Sequence, residues 1–493
     1  MKFGFRVDAG DGIGFGHYFR SLAIGASLAE LGHDVFFLIS CAPAWVTSAA
    51  DSSSIKSVNI NSDISRGSQG AAKSPLILEK DDAIRTASVA QGLDLDLVVI
   101  DHYGIDDEWL STFQVCEIDL LQIADSKALE GVQWVLDYGF DASKQKHCAD
   151  TRARTSMMLG PTYAPLTTAS MNPRTMDVIQ PSKSKPLVVV ALGSGMVSDI
   201  LRNLANTYLE REYFFDLCIV SNDSKVNSES ESGLSWVSQL YGLSDLLSVA
   251  SFALTSGGVT MYEMIARGVP GVVINTAGNQ KSSLSGLKAE SLGDFAVIDL
   301  SEFDPNKILN HMARSIRKDS PDTRILPKSR VDLYGAKRVA LALTNTFSSE
   351  RLSFRHYHPG DAAVLLRWAN DPEARSASLT RHEVSPEEHM NWLSKLESNG
   401  SRILVFEHWG VPCGQVRFEE TARGLMMSYM LDDFFRGKGL SQAMLASALG
   451  SIEPATQVLA KVRNSNEKSR RALERQGFRV LSRSHDFLLM QLS

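Results

Sequence analysis

The sequence predicts an α/β protein with two parallel sheets in its first 345 residues, followed by a smaller α+β domain. Short apolar runs alternate with longer helical patterns in the first part, which is typical of parallel strands joined by crossover helices. A polar, proline-punctuated stretch at 169–186 divides this pattern, and a second polar break follows at 346–352. We therefore expect three domains, at 1–170, 185–345 and 350–493.

Ten apolar runs in the first two domains are predicted to be buried strands. They are short, and several are rich in β-branched residues. Ser-rich tracts at 50–72 and 222–235 are expected to be surface loops. In chain order the predicted strands are Phe3–Asp8, Asp34–Ser40, Leu95–Asp101, Leu120–Asp125, Trp134–Asp137, Leu187–Leu192, Asp216–Ser221, Phe252–Thr255, Val272–Asn275 and Ala296–Asp299.

The composition is that of an ordinary globular chain. Its 493 residues are too many for one typical core, and 44% are apolar and 22% charged. A net charge of -7 gives no electrostatic footprint for nucleic acid, and no apolar run reaches membrane-spanning length. We expect neither nucleic acid nor membrane as a partner.

The cysteines bear on redox environment and metal binding. Five are scattered along the chain and none falls in Cys-x-x-Cys spacing, which argues against a disulfide framework and against a zinc site. The first residues read as a strand rather than as a signal peptide. We expect a cytoplasmic protein with no bound metal.

The segment Arg436-Gly-Lys-Gly-Leu-Ser441 joins an expected half-exposed strand, Met426–Leu431, to an apolar helix. Glycines let the backbone approach an anion, and the N–H groups that begin the helix then face it. The loop resembles the pyrophosphate loop of GNAT acetyltransferases, with Ser441 where that family usually has Gly or Ala. The downstream Asn/Ser pattern at 464–469 and Gly477-Phe478 extend the resemblance, which covers the last third of the chain.

The GNAT resemblance implies that acetyl-CoA is a co-substrate. Many members have a tyrosine that protonates the leaving thiolate, but its position here is Leu473. Tyr429 could serve instead, the thiolate could leave unaided, or the domain could be slow or inactive. The residues expected to contact acetyl-CoA are Met430, Leu431, Arg436, Gly437, Lys438, Gly439, Leu440, Ser441, Asn464, Asn466 and Ser469.

Two further segments of the last domain resemble the amine-binding side of sugar-type GNAT members. They are Trp368-x-Asn370-Asp371 and His389-x-x-Trp392. Both tryptophans could equally be core residues.

The first predicted strand ends in the glycine-rich loop 9–16, and His17 opens the next helix. A dinucleotide fingerprint does not fit, because its third glycine would fall at position 15 or 17. What remains is a flexible loop that places an imidazole at the carboxyl end of a sheet, where ligand crevices lie in open α/β folds. His17 is a candidate general base, or simply a residue at a helix start.

A second glycine loop, Ser256-Gly-Gly-Val-Thr260, lies between a strand and a helix. Its backbone and the threonine hydroxyl can donate to a diphosphate, and Glu263 is placed to accept from ribose hydroxyls. With Gly268-Val-Pro270, the segment resembles the UDP-binding segment of the GT-B enzyme that transfers N-acetylglucosamine in peptidoglycan synthesis. That implies two Rossmann-like domains facing a cleft, with UDP held by Ser256, Gly257, Gly258, Val259, Thr260 and Glu263.

The opening of the chain resembles one branch more closely, the UDP-sugar hydrolase of pseudaminic acid biosynthesis. The segments 5–22, 99–104 and 159–164 carry the resemblance, which spans about residues 1–345. The turn 192–199 and Ser126 depart from the family pattern. In that pathway a GNAT sugar acetylase acts one step before the hydrolase, so the chain resembles both enzymes joined.

The hydrolase resemblance implies roles for residues of the first two domains. His17 would deprotonate a water. Asp8, Asp101, His102 and Tyr103 come from neighbouring strand ends and could orient His17 or hold the sugar, although Asp8 could simply cap the glycine loop. The residues expected to contact the sugar or phosphate are Gly14, Gly16, Arg20, Asp101, His102, Tyr103, Asn279 and Gln280.

The two resemblances imply a bifunctional enzyme for a nonulosonic acid precursor. It would acetylate a UDP-linked 4-amino sugar with acetyl-CoA and hydrolyse a UDP-2,4-diacetamido-2,4,6-trideoxy-β-L-altropyranose-type sugar to free sugar and UDP. Two alternatives remain open: a GT-B glycosyltransferase that passes the sugar to an acceptor, and a non-catalytic sugar-nucleotide binding protein with a degenerate GNAT domain.

Overall fold

The computed structural model describes most of the chain and divides it into two compact units, Met1–Thr344 and Asn345–Ser493. None of the helices it describes is long and apolar enough to span a membrane. The side chains of residues 45, 46, 115, 144, 145 and 279 are not described. The described residues are 1–10, 13–61, 81–125, 127–147, 155–166, 168, 185–193, 198–221, 233–237, 243–290, 295–316, 330–378, 380–396, 400–454 and 456–492.

The first sheet of the N-terminal unit has seven parallel strands in the order β3-β2-β1-β4-β5-β6-β7. Its strands are β1 (Lys2–Arg6), β2 (Asp34–Ile39), β3 (Lys56–Asn59), β4 (Leu97–Ile100), β5 (Asp119–Ile123), β6 (Trp134–Asp137) and β7 (Ser156–Leu159). The helices between them are α1 (Gly16–Glu30), α2 (Ala44–Ser52), α3 (Asp82–Gly92), α4 (Asp107–Phe113) and α5 (Lys144–His147). Because all strands run the same way, their carboxyl ends share one edge.

The second sheet has six parallel strands in the order β10-β9-β8-β11-β12-β13. They are β8 (Leu187–Ala191), β9 (Asp216–Val220), β10 (Leu234–Val237), β11 (Phe252–Ser256), β12 (Gly271–Asn275) and β13 (Phe295–Asp299). The accompanying helices are α6 (Ser198–Leu209), α7 (Ser244–Val249), α8 (Val259–Ala266), α9 (Lys281–Ala289), α10 (Pro305–Ser315) and α11 (Gly335–Thr344).

Helix α11 returns to the first sheet and packs on α1. A Cβ atom at Gly335 would overlap the carbonyl oxygen of Ala164, so the close approach requires glycine. Arg338 then anchors the helix by donating to the carbonyl of Thr162 and to Asp332.

The predicted two-sheet α/β class is confirmed, and all ten predicted strands are present with slightly shifted ends. Three strands were missed, and each lies at a sheet edge: β3, β7 and β10. β3 and β10 contain polar residues within their short runs, so neither shows a continuous apolar pattern, whereas the remaining edge strand, β13, is more apolar and was predicted. The expectation of loops at 50–72 and 222–235 was wrong where the end of α2, β3 and the start of β10 fall, and residues 62–72 and 222–232 lie outside the described part of the structure.

The C-terminal unit contains a seven-stranded mixed sheet in the order β14-β15-β16-β17-β18-β20-β19, in which only β17 and β18 pair in parallel. The strands are β14 (Leu352–His356), β15 (Arg402–His408), β16 (Val411–Thr421), β17 (Gly424–Leu431), β18 (Val458–Arg463), β19 (Phe478–Arg483) and β20 (Phe487–Leu492). The helices are α12 (Ala362–Ala369), α13 (Pro372–Ala377), α14 (Pro386–Leu396), α15 (Leu440–Gly450) and α16 (Glu467–Arg475). The predicted α+β class is confirmed.

Helices cover both faces of this sheet. Gly414 is close to the Met444 sulfur of α15, whereas Arg417, three residues along β16, lies over the Trp392 ring of α14. Successive strand residues point to opposite faces, so α15 and α14 lie on different sides.

A buried ionic network fastens β1 to the helices behind the first sheet. The fully buried Arg6 guanidinium donates to Asp8 at 2.8 Å and to Asp82 at 2.7 Å. The Trp109 indole N–H donates to Asp82 at 2.9 Å. Burial alone would raise the pKa of Asp82, but Arg6 and Trp109 hold it below its usual value.

Removing one partner of this network should be costly. We expect Asp82→Ala to lower the free energy of unfolding of the N-terminal unit by about 3–5 kcal/mol, because Arg6 loses one of its two carboxylate partners in a buried site. Asp81→Ala is the matched control, since the exposed neighbouring carboxylate makes no side-chain cap and should cost under about 0.5 kcal/mol. Urea unfolding measures both, and equal losses would contradict the prediction.

Candidate active sites of the two units

A pocket lies at the carboxyl edge of the first sheet and is closed on its other side by the second sheet's glycine loop. From the first sheet it is lined by Gly16, His17, Arg20 and Tyr103, and from the second by Gly257, Gly258, Val259 and Gln280. The pocket thus brings together two glycine loops that are about 240 residues apart in the sequence.

His17 and Asp101 form a hydrogen-bonded pair in this pocket. His17 is the second residue of α1, and its Nδ1 is 2.6 Å from an Asp101 carboxylate oxygen. An ionised carboxylate only accepts, so Nδ1 carries the proton and Nε2 is left with a lone pair. The 3.0 Å approach of the Arg20 guanidinium to the same Nδ1 is then a contact and not a hydrogen bond. The imidazole is oriented as a base.

Arg20 holds this pair in place. Its Nε donates to the second Asp101 oxygen at 2.8 Å, and its Nη1 donates to Asp125 at 2.8 Å and to the Tyr138 hydroxyl at 2.7 Å. Burial would raise the pKa of Asp101, but Arg20 and His17 hold it far below its usual value. Asp101 therefore stays ionised and can stabilise an imidazolium at His17.

Tyr103 forms one wall of the pocket. Its ring meets the His17 ring edge-on, with centroids 4.4 Å apart, and its hydroxyl donates to Asp125 at 2.8 Å. The residue is 51% exposed, so much of the ring remains open to a ligand. The structure joins His17, Arg20, Asp101 and Tyr103, four of the residues that the sequence singled out, in one connected group.

Asp8 and His102 have other positions than expected. Asp8 accepts from Arg6 and from the backbone N–H groups of Ser40 and Cys41, at 2.8 and 2.9 Å. His102 accepts from the Gly104 N–H at 2.9 Å, its side chain is only 2% exposed, and its Nε2 lies 3.8 Å from Asp8. Asp8 therefore stabilises a turn, and Asp101 orients His17 in its place. The buried His102 ring is not among the residues lining the pocket.

The first glycine loop is closed by its own backbone. The Gly14 N–H donates to the Gly10 carbonyl at 2.8 Å, and Gly14 has a φ of 85°, which glycine adopts without strain. Gly14 thereby shapes the turn, while Gly16 itself lines the pocket.

The second glycine loop places the start of α8 at the pocket. Gly258 is the N-terminal cap of α8, and the backbone N–H groups of the next two residues, Val259 and Thr260, have no partner within the helix. Gly257, Gly258 and Val259 line the pocket. Ser256 is buried at the end of β11, and Thr260 is half-buried one residue into the helix. An anion in the pocket would meet the positive end of α8.

Glu263 is half-buried one turn into α8. Burial raises its pKa to about 7, with Asp245 adding to the rise and Arg267 opposing it. Hydroxyl donors would stabilise the ionised form of such a carboxylate, because they replace the hydrogen bonds to water that burial removes.

Gln280 lines the pocket beside α8. Its amide oxygen accepts from the Thr276 N–H at 3.0 Å and from the Thr276 hydroxyl at 3.2 Å. These two hydrogen bonds fix the orientation of the Gln280 amide, in which the NH₂ group is the hydrogen-bond donor. The side chain of Asn279 lies outside the described part of the structure.

Several pocket residues were not expected from the sequence. Asp137, Tyr138, Asp141 and Lys146 follow β6, and Tyr262 comes from α8. The Lys146 ammonium bridges Asp137 at 2.8 Å and Asp141 at 3.3 Å. The sequence could have indicated these residues, because Asp137-Tyr138-Gly139 lies at the carboxyl end of a predicted strand. It was overlooked because it matches no family motif.

In the C-terminal unit, the glycine loop joins β17 to α15, and its two glycines have left-handed backbone conformations. Gly437 and Gly439 have φ of 76° and 82°, and an added Cβ at either would meet nothing within 4 Å. Gly439 caps α15, so the N–H groups of Leu440 and Ser441 begin the helix. The open space above the two glycines permits a bulky anion to approach the backbone.

Strands β17 and β18 pair only over Leu425–Met427, opposite Val458–Ala460. Beyond that point Met430 and Leu431 are half-buried at the end of β17, and β18 no longer pairs with them. The Tyr429 hydroxyl lies 2.9 Å from the Ser469 hydroxyl of α16. Burial raises the pKa of Tyr429, which keeps it protonated. Leu473 is buried.

The side chains of Arg436 and Lys438 differ in how far they are already engaged by other groups of the protein. The Arg436 guanidinium donates to Asp371 at 2.7 Å, to Glu373 at 3.1 Å and to the Leu431 carbonyl at 3.1 Å. Its charge is thus already balanced, and it orders the loop. Lys438 is exposed and lies over the Phe347 ring at 4.6 Å.

The Asn/Ser pattern has mainly internal contacts. Asn464 donates to the carbonyls of Ser484 and His485 at 3.1 and 2.8 Å, and Asn466 caps α16 by accepting from the Ser469 N–H at 3.0 Å. The sequence assigned these side chains to acetyl-CoA, whereas their described contacts order the strand and helix beside it.

The two tryptophans of the amine-side segments differ. Trp368 is 2% exposed and donates to Asp432 at 2.7 Å, which makes it a core residue. Trp392 is half-buried, with the Arg417 guanidinium 5.1 Å above its ring.

The family model matches only the C-terminal unit, and the solved structures that match the chain fall into two groups that cover different lengths of it. Residues 351–479 match the family model described as the acetyltransferase (GNAT) domain. No curated protein is significantly similar to the chain. Among solved structures, a spermidine N-acetyltransferase from Vibrio cholerae, in complex with CoA and spermine, is 20% identical and covers 29% of this chain and 95% of its own, with a TM-score of 0.27.

Two glycosyltransferase structures align with a longer part of the chain. The glycotransferase of kitacinnamycin is 13% identical over 70% of this chain and 98% of its own, with a TM-score of 0.49. The calicheamicin glycosyltransferase is 14% identical over 70% and 97%, with a TM-score of 0.45. The N-terminal unit itself has two Rossmann-like parallel sheets with a pocket between them. The C-terminal unit contains a GNAT acetyltransferase domain.

Proposed function

We propose that the protein is a bifunctional enzyme of nonulosonic acid precursor synthesis. Its N-terminal unit hydrolyses a UDP-linked 2,4-diacetamido-2,4,6-trideoxy sugar to free sugar and UDP. Its GNAT domain acetylates the corresponding UDP-linked 4-amino sugar with acetyl-CoA. The pathway and the use of water as the acceptor are inferred from the resemblance of the N-terminal sequence to the UDP-sugar hydrolase family.

The observation that carries the hydrolase proposal is the His17–Asp101 pair across a pocket from the start of α8. Cleavage at an anomeric carbon requires a base for the attacking oxygen and stabilisation of the departing diphosphate. The His17 Nε2 lone pair supplies the first, and the α8 N–H groups supply the second.

In the proposed step, the oxygen of a water attacks the anomeric carbon while the bond from that carbon to the diphosphate oxygen breaks. The water proton passes to His17 Nε2, and the resulting imidazolium is stabilised by Asp101. UDP leaves as an anion with its bonding electron pair and is held at the positive end of α8. The imidazolium later returns its proton to solvent.

Loss of the base should stop this reaction. We expect His17→Gln to slow UDP release by roughly 10²–10⁴-fold while UDP affinity stays within a factor of about three, because the imidazole acts on the attacking oxygen. His33→Gln is the matched control, since that ring contacts Phe3 and is not among the residues lining the pocket. Near-normal turnover of the His17 variant would contradict the assignment.

The same assay distinguishes hydrolysis from transfer. A hydrolase releases UDP and free sugar from the substrate alone, whereas a glycosyltransferase releases UDP fully only when an acceptor is added. Product identification by NMR decides between the two. UDP binding without release in either assay would indicate the non-catalytic alternative.

Glu263 should contribute to nucleotide binding. We expect Glu263→Gln to weaken UDP binding by roughly 1.5–3 kcal/mol, because the charged acceptor for the ribose hydroxyls is lost. With a pKa of about 7, the wild-type side chain ionises as the pH rises, so the difference from the variant should grow between pH 6 and 8. Calorimetry at each pH measures it; comparison with the variant cancels the titration of UDP itself, and equal affinities at pH 8 would contradict the contact.

The acetyl-CoA loop can be tested separately. We expect Gly439→Glu to weaken acetyl-CoA binding by about 4 kcal/mol, the repulsion between unit charges about 4 Å apart at an effective dielectric constant of about 20. Gly450→Glu, at the exposed far end of α15, makes the same change without facing the loop. UDP release should be unchanged in both variants. Normal acetyl-CoA affinity of Gly439→Glu would contradict the site.

A further inference from the structure

The C-terminal unit has a second pocket that the acetyl-CoA loop does not use. It runs over the face of β17, β18 and β20, between the hairpin turn at 421–423 and the β19–β20 turn. Its floor is apolar and its rim is basic. The residues that matter are Arg423, Met426, Lys461, Arg483 and Phe487.

The charges of this groove are of one sign. Neither Asp nor Glu occurs among the described residues that line it. Within the described structure no salt bridge is formed by Arg423, Lys461 or Arg483. The Lys461 ammonium instead lies 4.6 Å from the centre of the Phe487 ring, and the Arg463 guanidinium lies 4.8 Å from the same ring. An anion entering the groove would meet basic groups without having to displace a carboxylate.

The groove leads to the place where β17 and β18 separate. At one end of the groove, Met426 of β17 pairs with Leu459 of β18. At the other end, Arg463 of β18 pairs with Phe487 of β20, beyond the point where β17 and β18 stop pairing. Four residues of strand separate these two ends, about 13 Å at ~3.3 Å per residue. A ligand of that length would reach from the rim to the opening between the strands.

The groove lies on the sheet face opposite α15. Gly414 pairs with Leu431 on the face covered by Met444 of α15. Met426, five residues from Leu431, points to the other face, because side chains alternate along a strand. The start of α15 and the groove therefore approach the opening from different sides, as a donor and an acceptor must for direct transfer between them.

We propose that this groove binds the nucleoside diphosphate part of the amino-sugar acceptor. Lys461, Arg423 and Arg483 contact the diphosphate, the Phe487 ring packs on the base, and the amine projects into the opening between β17 and β18. Charge-assisted contacts to phosphate and stacking on an aromatic face are the interactions this residue set offers. The proposal deepens the acetyltransferase half of the proposed function and rests on it.

Coenzyme A also contains a phosphorylated nucleoside, so binding must distinguish the two sources. Hydrogen–deuterium exchange of the full chain, with UDP or CoA as the probe, locates each ligand. We expect UDP to slow exchange in peptides covering 421–426 and 482–489, and CoA to slow exchange at 436–441. UDP protection of the groove peptides should be lost in Lys461→Gln/Arg483→Gln. Protection of those peptides by CoA alone, or by neither probe, would overturn the assignment.

Kinetics give a second readout. We expect Lys461→Gln and Arg483→Gln each to raise the KM for the UDP-linked amino sugar by about 5–10-fold, with kcat and the KM for acetyl-CoA unchanged. The same amino sugar without its nucleotide should respond equally to wild type and variants. Arg475→Gln removes an exposed charge from α16, outside the groove, and should leave all parameters unchanged.

The two hypotheses fail in different ways. If the wild-type protein acetylates no UDP-linked amino sugar, the proposed function fails, and UDP protection of the groove peptides still decides whether the groove binds a nucleotide. If the wild type acetylates the sugar but the groove variants keep its KM and the groove peptides are unprotected, only the groove assignment fails.

Discussion

The buried Asp101 carboxylate is the interaction on which the N-terminal site depends. It accepts from His17, from Arg20 and from the Ser21 hydroxyl, so three groups on one turn of α1 are fixed by a single anion at the end of β4. Its negative charge sets the His17 tautomer, and Arg20 in turn keeps it ionised. An uncharged group here would leave Arg20 without its main counter-charge and His17 without a fixed direction.

The position of this carboxylate follows from sheet topology. In parallel sheets the carboxyl ends of neighbouring strands share an edge, so Asp101 after β4, Asp125 after β5 and Asp137 at the end of β6 lie along one line. The second sheet contributes its own carboxyl edge through Gly257 and Gly258. A basic imidazole and an electropositive helix start thereby face one pocket, although neither sheet alone contains both.

The C-terminal unit relies on a different constraint, the separation of two parallel strands. β17 and β18 pair for three residues and then stop pairing, and just beyond that point the Tyr429 hydroxyl lies 2.9 Å from the Ser469 hydroxyl of α16. The glycine loop with two left-handed residues opens onto this gap from the α15 side, and the basic groove reaches it from the opposite face. One gap in the sheet therefore organises both proposed ligand sites of the unit.

The sequence by itself determined the fold class, the central strands, both glycine loops and the place of His17 at the start of a helix, because these depend on local patterns and backbone conformation. It did not reveal β3, β7 and β10, three of the four edge strands of the two parallel sheets. Nor could it choose between Asp8 and Asp101, since both end strands beside the loop. Only the tertiary structure decided that Asp8 pairs with Arg6 while Asp101 meets His17, and that Arg436 is already balanced by Asp371. Charge pairing depends on distances between residues far apart in the chain, and those distances are set by packing.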